Sequence, residues 1–278
     1  MKREVELMNL FWSCSGMAPG DGEISRFDFK DRVESAAKAG FTGIGIWHTD
    51  LEHILYNRTL KEMKKILDDN GIKHIELEFL TDWFVEGGRK WESDNRKKRL
   101  LEASEALQAK HVKIGDFYRT ITPMPKLVES FASLCKEAEN YGATIGFEFM
   151  DSSMINNLKD ALTLVETVGA KNGGIIIDIV QQVNLGITFE EISRIPLKYL
   201  VGLELNDGNL PGSPNHDPSG RLFCGEGDFD IKGFINCVHN MGYTGPWALE
   251  VFNKIYDGLS LEELNTRAFK TTMAEFID

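Results

Sequence analysis

Four acidic residues stand at or near the ends of apolar runs in the second half of the sequence. They are Glu148 in TIGFEF (144–149), Asp178 in GIIIDIV (174–180), Glu204 in YLVGLEL (199–205) and Glu250 in PWALEVF (246–252). A carboxylate removed from water needs a partner, and several that converge repel one another. A divalent cation bound between them would resolve the repulsion, and all-oxygen ligation suits Mn²⁺ or Mg²⁺ ahead of zinc. For any single one of these acids, the alternative to a metal ligand is an exposed residue at a strand end that forms a salt bridge.

The runs that contain these acids belong to a regular alternation of strand and helix patterns. Four earlier apolar runs are ELMNLFWS (6–13), FTGIGIW (41–47), IKHIELEF (72–79) and HVKIG (111–115). Helical spacing of apolar residues fills the stretches between the eight runs, and such an alternation predicts a parallel sheet. Eight units in about 250 residues fit an α/β fold of the (β/α)8 TIM barrel type. We therefore expect a single TIM-barrel domain over residues 1–278. A doubly wound open sheet is the second possibility, although no glycine-rich phosphate fingerprint follows an early strand.

A TIM barrel would place the four acids together, because its active site lies at the carboxyl ends of the strands. Side chains alternate inward and outward along a strand, so residues two positions earlier share the face of each acid. Those residues are Gly146, Ile176, Gly202 and Ala248. Three of them are small, and we expect open space around the barrel axis. The long Gly- and Pro-rich segment 207–229 after the seventh run predicts a functional loop.

Composition and charge exclude several classes of partner. The chain is 42% hydrophobic and has a formal net charge of −12, which argues against nucleic acid, since phosphate binding depends on Lys and Arg. No stretch reaches the roughly 18 apolar residues of a membrane span, and the amino terminus has no long apolar segment. The four cysteines show no CxxC spacing. We expect a cytoplasmic protein with reduced thiols and no membrane partner.

Six segments together resemble the xylose isomerase-like, sugar phosphate isomerase/epimerase family of metal-dependent barrels. They are IGFEF, GIIIDI, LELND, RLFCGEGDFDIKGF, GYTGPWALEVF and AFKTTMAEF, in this order. The resemblance implies metal ligands at Glu148, Asp178 and Glu250. The fourth family ligand is a His three residues before an acid, and Glu204 occupies that position. The resemblance also implies substrate contact by Arg221, and Gln181 stands where the family has a substrate-binding His.

The chemistry that the resemblance implies is proton abstraction next to a carbonyl, with a metal stabilising the enediolate. Glu148 and Glu250 would face opposite sides of a keto-sugar or keto-inositol, one removing the proton and the other returning it. A dehydratase of the dehydroshikimate or keto-inositol type is the first alternative. A non-catalytic sugar-binding subunit is another, favoured by the missing histidines. An endonuclease acting on abasic DNA is opposed by the acidic charge.

The first half of the chain adds weaker candidates for substrate contact. Lys113 could compensate the extra carboxylate at Glu204 or act in proton transfer, or it could simply extend toward a helix. His48 and Glu78 also stand at strand ends. Three tryptophans near strand ends, Trp12, Trp47 and Trp83, could form aromatic walls for a sugar or pack in the core. We also expect a homo-oligomer to be possible, given the helical exterior of a barrel.

Overall fold

The computed structural model describes residues 5–17, 20–214, 217 and 220–277. Eight parallel strands form a closed barrel in sequence order, so the predicted (β/α)8 TIM barrel is confirmed and the doubly wound open sheet is wrong. The strands are β1 (Leu7–Asn9), β2 (Gly43–Trp47), β3 (His74–Leu80), β4 (His111–Ile114), β5 (Ile145–Glu148), β6 (Gly173–Asp178), β7 (Leu200–Leu205) and β8 (Trp247–Leu249). Each lies within or overlaps one of the eight predicted runs.

Helices surround the barrel and connect the strands. In chain order they are α1 (Phe11–Ser15), α2 (Phe29–Ala39), α3 (His48–Leu55), α4 (Leu60–Asp69), α5 (Gly88–Leu107), α6 (Met124–Glu139), α7 (Leu158–Val168), α8 (Ile179–Asn184), α9 (Phe189–Ser193), α10 (Ile231–Asn240) and α11 (Leu261–Ala274). Short 3-10 helices occupy Leu197–Tyr199 and Lys254–Tyr256. Among the helices of the described segments, none has the length and apolar character needed to cross a membrane.

The first strand is shorter than the sequence pattern predicts. The apolar run 6–13 was expected to be one strand, but β1 ends at Asn9 and the chain turns into α1 at Phe11. Gly16 ends this helix at a φ of 68°, a left-handed conformation that glycine adopts without strain. The Ser13 hydroxyl holds the turn to the barrel by donating to the carbonyl of Leu249 at 2.9 Å. The turn places Trp12 above the barrel mouth.

Apolar side chains on the outer face of the barrel pack against the helices. Ile145 and Phe147 on β5, and Leu203 and Leu205 on β7, are at most 2% exposed and belong to the main hydrophobic core. Burial of one such side chain stabilises a fold by about 1.5–3 kcal/mol. The alternate residues of the same strands point into the barrel, so the outer core fixes which side chains reach the axis.

The inside of the barrel is largely ionic in place of the usual aliphatic layers. Met8, Leu10 and Ala248 form a small apolar cluster on one side. Ile176 contributes a further apolar side chain. Acidic and basic side chains from β3 to β7 occupy most of the remainder, and all are nearly or completely buried: Glu76, Glu78, His111, Lys113, Glu148, Asp178 and Glu204. Charged residues are rarely buried to this degree unless they are paired.

Candidate active site

The four acids that stand near the ends of β5 to β8 converge at the upper end of the barrel. One carboxylate oxygen from each of Glu148, Asp178, Glu204 and Glu250 lies within 4.8 Å of the others. Strand register contributes directly, because Asp178 pairs with Glu204 across β6 and β7. Each side chain is at most 5% exposed. The structure thus brings the predicted set together, and the assignment of these residues as metal ligands stays a prediction.

Lys113 lies at the centre of the buried charges. Its ammonium is 2.8 Å from Glu204 Oε1, 2.9 Å from Glu250 Oε1 and 3.0 Å from Glu78 Oε2. Glu76 and Glu148 follow at 3.4 and 3.8 Å. The alternative in which Lys113 extends toward a helix is therefore wrong. The lysine is fully buried and compensates five carboxylates, which come from β3, β5 and β7 and from the end of β8.

A second ionic layer lies below the four acids and was not assigned from the sequence. His111 Nε2 is 2.5 Å from Glu76 Oε2, and both residues are at most 1% exposed. The signal was available in the alternation of the strands, since Glu76 precedes Glu78 by two residues and His111 precedes Lys113 by two. Each therefore shares one face of its strand with a residue already singled out, and the structure shows that this face points inward.

The open space that was expected around the barrel axis is filled by side chains from neighbouring strands. A Cβ on Gly146 would approach within 2.6 Å of the Ile176 side chain, and one on Gly202 would lie 3.3 Å from the His111 ring. Gly146 and Gly202 therefore leave room for the larger side chains of Ile176 and His111. Gly45 has the same function for Glu78, because a Cβ there would come within 2.5 Å of Glu78 Oε1.

Arg221 lies across the mouth of the site and binds two of the four acids. It donates to Asp178 Oδ2 at 2.8 Å and lies 3.4 Å from Glu250 Oε2. Its guanidinium stacks on Phe252 at 4.1 Å from the ring centroid. Asp178 also accepts from Asn206 Nδ2 at 2.6 Å and from the backbone N–H of Val180, at the start of α8. The bonds from Arg221, Asn206 and Val180 together hold the Asp178 carboxylate in one orientation.

Asp207 organises the loop that presents Arg221. Its carboxylate accepts backbone N–H groups of four loop residues at 2.8–3.0 Å: Gly208, Gly225, Gly227 and Phe229. A two-way backbone pair joins Asp207 to Leu222, next to Arg221. The part of segment 207–229 that the structure describes is thus tied to one carboxylate at the end of β7.

Burial raises the pKa of several carboxyl groups in the cluster. It raises the pKa of Glu148 to about 8 and that of Glu78 to about 7, against the counter-effect of Lys113. The pKa values of Glu204 and Asp178 are also raised by burial. Glu76 is the exception: burial opposes ionisation, but the charges of Lys113 and His111 lower its pKa to about 2.

The cluster as a whole carries an excess of negative charge. Six ionised carboxylates together with Lys113 and Arg221 would have a formal charge of −4, which favours binding of a further cation.

One unpaired oxygen shows where such a cation would fit. The Oε1 atom of Glu204 accepts a hydrogen bond from Lys113. The Oε2 atom of the same carboxylate is buried and has no hydrogen-bond partner among the described residues. A buried carboxylate oxygen without a partner is costly. The four convergent carboxylates offer only oxygen ligands, the donor type that hard divalent cations prefer. The residues present therefore fit a divalent metal ion.

A cavity of about 760 Å³ opens above this cluster. Of the predicted site residues, Glu148, Gln181, Arg221 and Glu250 line it. Gln181 is fixed by its side-chain oxygen, which accepts the backbone N–H of Asp151 at 3.1 Å. Asp178 and Glu204 lie just below the residues that form the floor.

Three residues predicted to contact substrate do not line this cavity. Lys113 and Glu78 lie in the barrel beneath the floor, where they contact other charged groups. His48 begins α3 behind Trp47, its Nε2 3.0 Å from the Thr49 hydroxyl. Burial lowers the pKa of His48 to about 3, so the ring is neutral. These positions assign the three residues to the support of the site and not to its surface.

The tryptophans divide between cavity and core. Trp12 and Trp47 line the cavity with their ring centroids 5.1 Å apart. Trp83 instead packs edge-on against Phe84, Phe131 and Phe147 in the main core. Trp83 therefore packs in the core, while contact of Trp12 and Trp47 with a sugar stays a prediction.

Comparison with known proteins agrees with the fold and with the resemblance inferred from the sequence. The family model described as xylose isomerase-like TIM barrel matches residues 33–270. A 3-dehydroshikimate dehydratase of Pseudomonas aeruginosa is 27% identical over 235 residues, which cover 80% of this chain and 36% of that protein. This chain thus spans about a third of the dehydratase. An inosose isomerase of Halalkalibacterium halodurans is 25% identical over 256 residues, covering 87% of this chain and 89% of the isomerase.

Solved structures share the same architecture. The IOLI protein, in a crystal structure with a bound zinc atom, superposes with a TM-score of 0.85 at 21% identity, covering 98% of each chain. At this identity the likeness shows the fold. The resemblance inferred from the sequence segments is confirmed by the family match.

Proposed function

Because the chain belongs to the xylose isomerase-like TIM barrel family, we propose that it is a divalent-metal-dependent isomerase or epimerase of a keto-sugar or keto-inositol. The observation that supports this best is the convergence of four buried carboxylates, two of which also line a cavity. Glu148, Asp178, Glu204 and Glu250 would hold Mn²⁺ or Mg²⁺. When bound, the ion would supply Lewis-acid polarisation of a substrate carbonyl.

Glu148 and Glu250 are the acid–base pair in this proposal. Both reach the cavity floor, while Asp178 and Glu204 lie beneath it and serve only as ligands. One glutamate removes the proton from the carbon next to the carbonyl, and the C–H electron pair moves toward the carbonyl oxygen. The other glutamate returns a proton to the same carbon, which inverts that centre, or to the former carbonyl carbon. In the second case the hydroxyl proton of the first carbon shifts to the former carbonyl oxygen, and the carbonyl moves to the first carbon. Arg221, at the cavity wall, would hold a substrate oxygen through charge-assisted hydrogen bonds.

A dehydratase is the second candidate. The Pseudomonas aeruginosa relative with that name is the specific observation in its favour, although this chain spans only part of it. After the same proton abstraction, elimination requires an acid to protonate a departing hydroxyl. The glutamate that takes the proton from carbon, Glu148 or Glu250, can deliver that proton to the departing hydroxyl, which leaves as water.

Solvent-deuterium exchange separates these functions. The protein, supplied with Mn²⁺, is incubated in D₂O with a panel of keto-sugars and keto-inositols, and the products are followed by NMR and mass spectrometry. Deuterium at the carbon next to the carbonyl, together with a rearranged product, is the expected result. Deuterium with loss of water would establish the dehydratase instead. No exchange on any substrate by metal-loaded protein would contradict both and favour a non-catalytic sugar-binding subunit.

A further inference from the structure

The cavity above the carboxylates has two chemically different parts. Its floor presents Glu148, Glu250, Gln181 and Arg221, the groups suited to hydroxyl and carbonyl oxygens. One side of its wall is aromatic, and Trp12, Trp47 and Phe79 there belong to an apolar cluster separate from the main core, whereas Glu23, Asp151 and Ser152 line other parts of the wall. A free sugar has polar groups around its whole rim and would leave much of this apolar wall without a matching surface.

The aromatic wall is a row of nearly parallel rings that runs from the interior to the surface. The Trp47 and Phe79 rings are 5.8 Å apart and inclined by 19°, and the Phe79 and Phe117 rings are 4.7 Å apart and inclined by 20°. Trp47 and Phe79 are buried, whereas Phe117 is 43% exposed. All three line the cavity. Because the rings stack on one another, their inner faces are partly covered, and the row offers a ligand its ring edges and its outer face, which suit another planar group.

The cavity is also larger than a simple sugar needs. If each heavy atom is given about 30 Å³, the share of one molecule in liquid water, a hexose of about twelve heavy atoms fills about 360 Å³. This upper estimate of the hexose volume is about half of the cavity volume of 760 Å³. The cavity therefore has room for a substituent beyond a single sugar ring, and five of its lining residues are aromatic.

We propose that the substrate is a glycoside: a keto-sugar or keto-polyol that bears a planar apolar substituent. The polar ring lies on the floor against Glu148, Glu250 and Arg221, and the substituent lies along Trp47, Phe79 and Phe117. This inference rests on the proposed function for the identity of the polar ring. The aromatic row supplies the specificity for the substituent, because its faces are apolar and lead out of the cavity.

Binding of matched glycosides tests the proposal. Phenyl and methyl β-D-glucosides, the corresponding galactosides, and cellobiose are titrated into Mn²⁺-supplied protein by calorimetry, with tryptophan fluorescence as a second readout. Each phenyl glycoside is expected to bind at least about tenfold more tightly than its methyl partner, as the burial of a stacked ring implies. A smaller ratio, equal binding of cellobiose and phenyl glucoside, or no binding of either phenyl glycoside would overturn the proposal.

Two variants test whether the aromatic row causes the preference for phenyl over methyl glycosides. Phe117→Ala removes the exposed outer ring and is expected to reduce the phenyl-to-methyl affinity ratio at least about threefold. Tyr118→Ala is the matched control, because Tyr118 is a neighbouring exposed aromatic that does not line the cavity. An unchanged ratio in the Phe117 variant, or an equal loss in both variants, would count against the proposed position of the substituent.

The glycoside proposal and the isomerase proposal can fail separately, and the experiments tell the two failures apart. If phenyl glycosides bind tightly but no keto-sugar exchanges deuterium, the aromatic subsite stands and the isomerase proposal fails. If deuterium exchange occurs on free keto-sugars while phenyl and methyl glycosides bind equally, the isomerase proposal stands and the glycoside inference fails.

Discussion

At the scale of single residues, Lys113 is the group on which the ionic interior depends. Three carboxylates lie within 3.0 Å of its ammonium, and the surrounding acids raise its pKa despite complete burial. The sequence resemblance implies a histidine ligand where this chain has Glu204, and Lys113 contacts that glutamate directly. The extra negative charge is therefore matched by a cation inside the same barrel.

Removal of this cation should destabilise the protein. Lys113→Met leaves buried carboxylates without compensation, and the free energy of unfolding is expected to fall by about 3–5 kcal/mol. Denaturant unfolding measures the loss. Lys110→Met is the control, because Lys110 binds a backbone carbonyl (Val201) and contacts none of the four convergent acids among its described partners. Equal stability of wild type and the Lys113 variant would mean that the carboxylates are kept neutral without the lysine.

Glu148 and Glu250 can be tested as ligands independently of catalysis. Glu148→Gln and Glu250→Gln each replace an anionic ligand by a neutral amide, and Mn²⁺ affinity is expected to fall at least about tenfold. Elemental analysis after gel filtration and calorimetric titration give the affinity without any substrate. Glu226→Gln is a suitable control, because Glu226 binds Tyr256 and Arg267 outside the cluster. Wild-type Mn²⁺ binding by both cluster variants would refute the assignment.

At the scale of elements, the loop after β7 depends on Asp207. An amide in place of the carboxylate would keep one acceptor oxygen and leave two of the four loop N–H groups facing a donor. Asp207→Asn is therefore expected to lower stability by about 1–3 kcal/mol and to weaken binding of any ligand that Arg221 holds. Thermal unfolding and calorimetry provide the two readouts. Asp228→Asn, an exposed change in the same loop, should alter neither.

The elements themselves were largely predictable, because each strand is a short apolar run and its inward face is fixed by alternation. The same alternation identifies Glu148, Asp178 and Glu204 as inward residues. It could not show that β1 ends at Asn9, since Phe11 and Trp12 are as apolar in a helix as in a strand. Nor could it show that Lys113 turns into the barrel, because an inward lysine is favourable only when acids from several distant strands surround it. The aromatic row of the cavity likewise combines residues from three separate loops or strand ends.

At the scale of the whole molecule, the barrel encloses charge where most barrels enclose aliphatic side chains. The outer core of the barrel must supply stability that the interior does not, since buried ion pairs contribute little net free energy and are costly when incomplete. The fold can maintain such an interior because the closed sheet fixes the positions of all eight strands. The unpaired oxygen of Glu204 and the raised pKa values of its neighbours are consistent with an interior that becomes fully compensated only with a bound cation.

The stability of the metal-free protein should therefore depend on pH in a particular direction. Burial raises the pKa values of Glu78 and Glu148 from 4.5 to about 7 and about 8, so the unfolded chain releases these protons at lower pH than the folded one. Stability falls as pH rises from about 4.5 to about 8. Glu76, with its lowered pKa, contributes stability that is lost only as pH falls from about 4.5 toward about 2.

In EDTA, the melting temperature is accordingly expected to fall by at least about 5 °C between about pH 5 and pH 8, because each shifted pKa unit corresponds to about 1.4 kcal/mol. Added Mn²⁺ should raise the melting temperature more at pH 8 than at pH 5, since a dication binds ionised carboxylates. Calorimetric scans with and without Mn²⁺ measure both effects, and Glu148→Gln should flatten the EDTA profile. A melting temperature that rises over this range in EDTA would contradict the raised pKa values, and a Mn²⁺ effect independent of pH would place the ion away from these carboxylates.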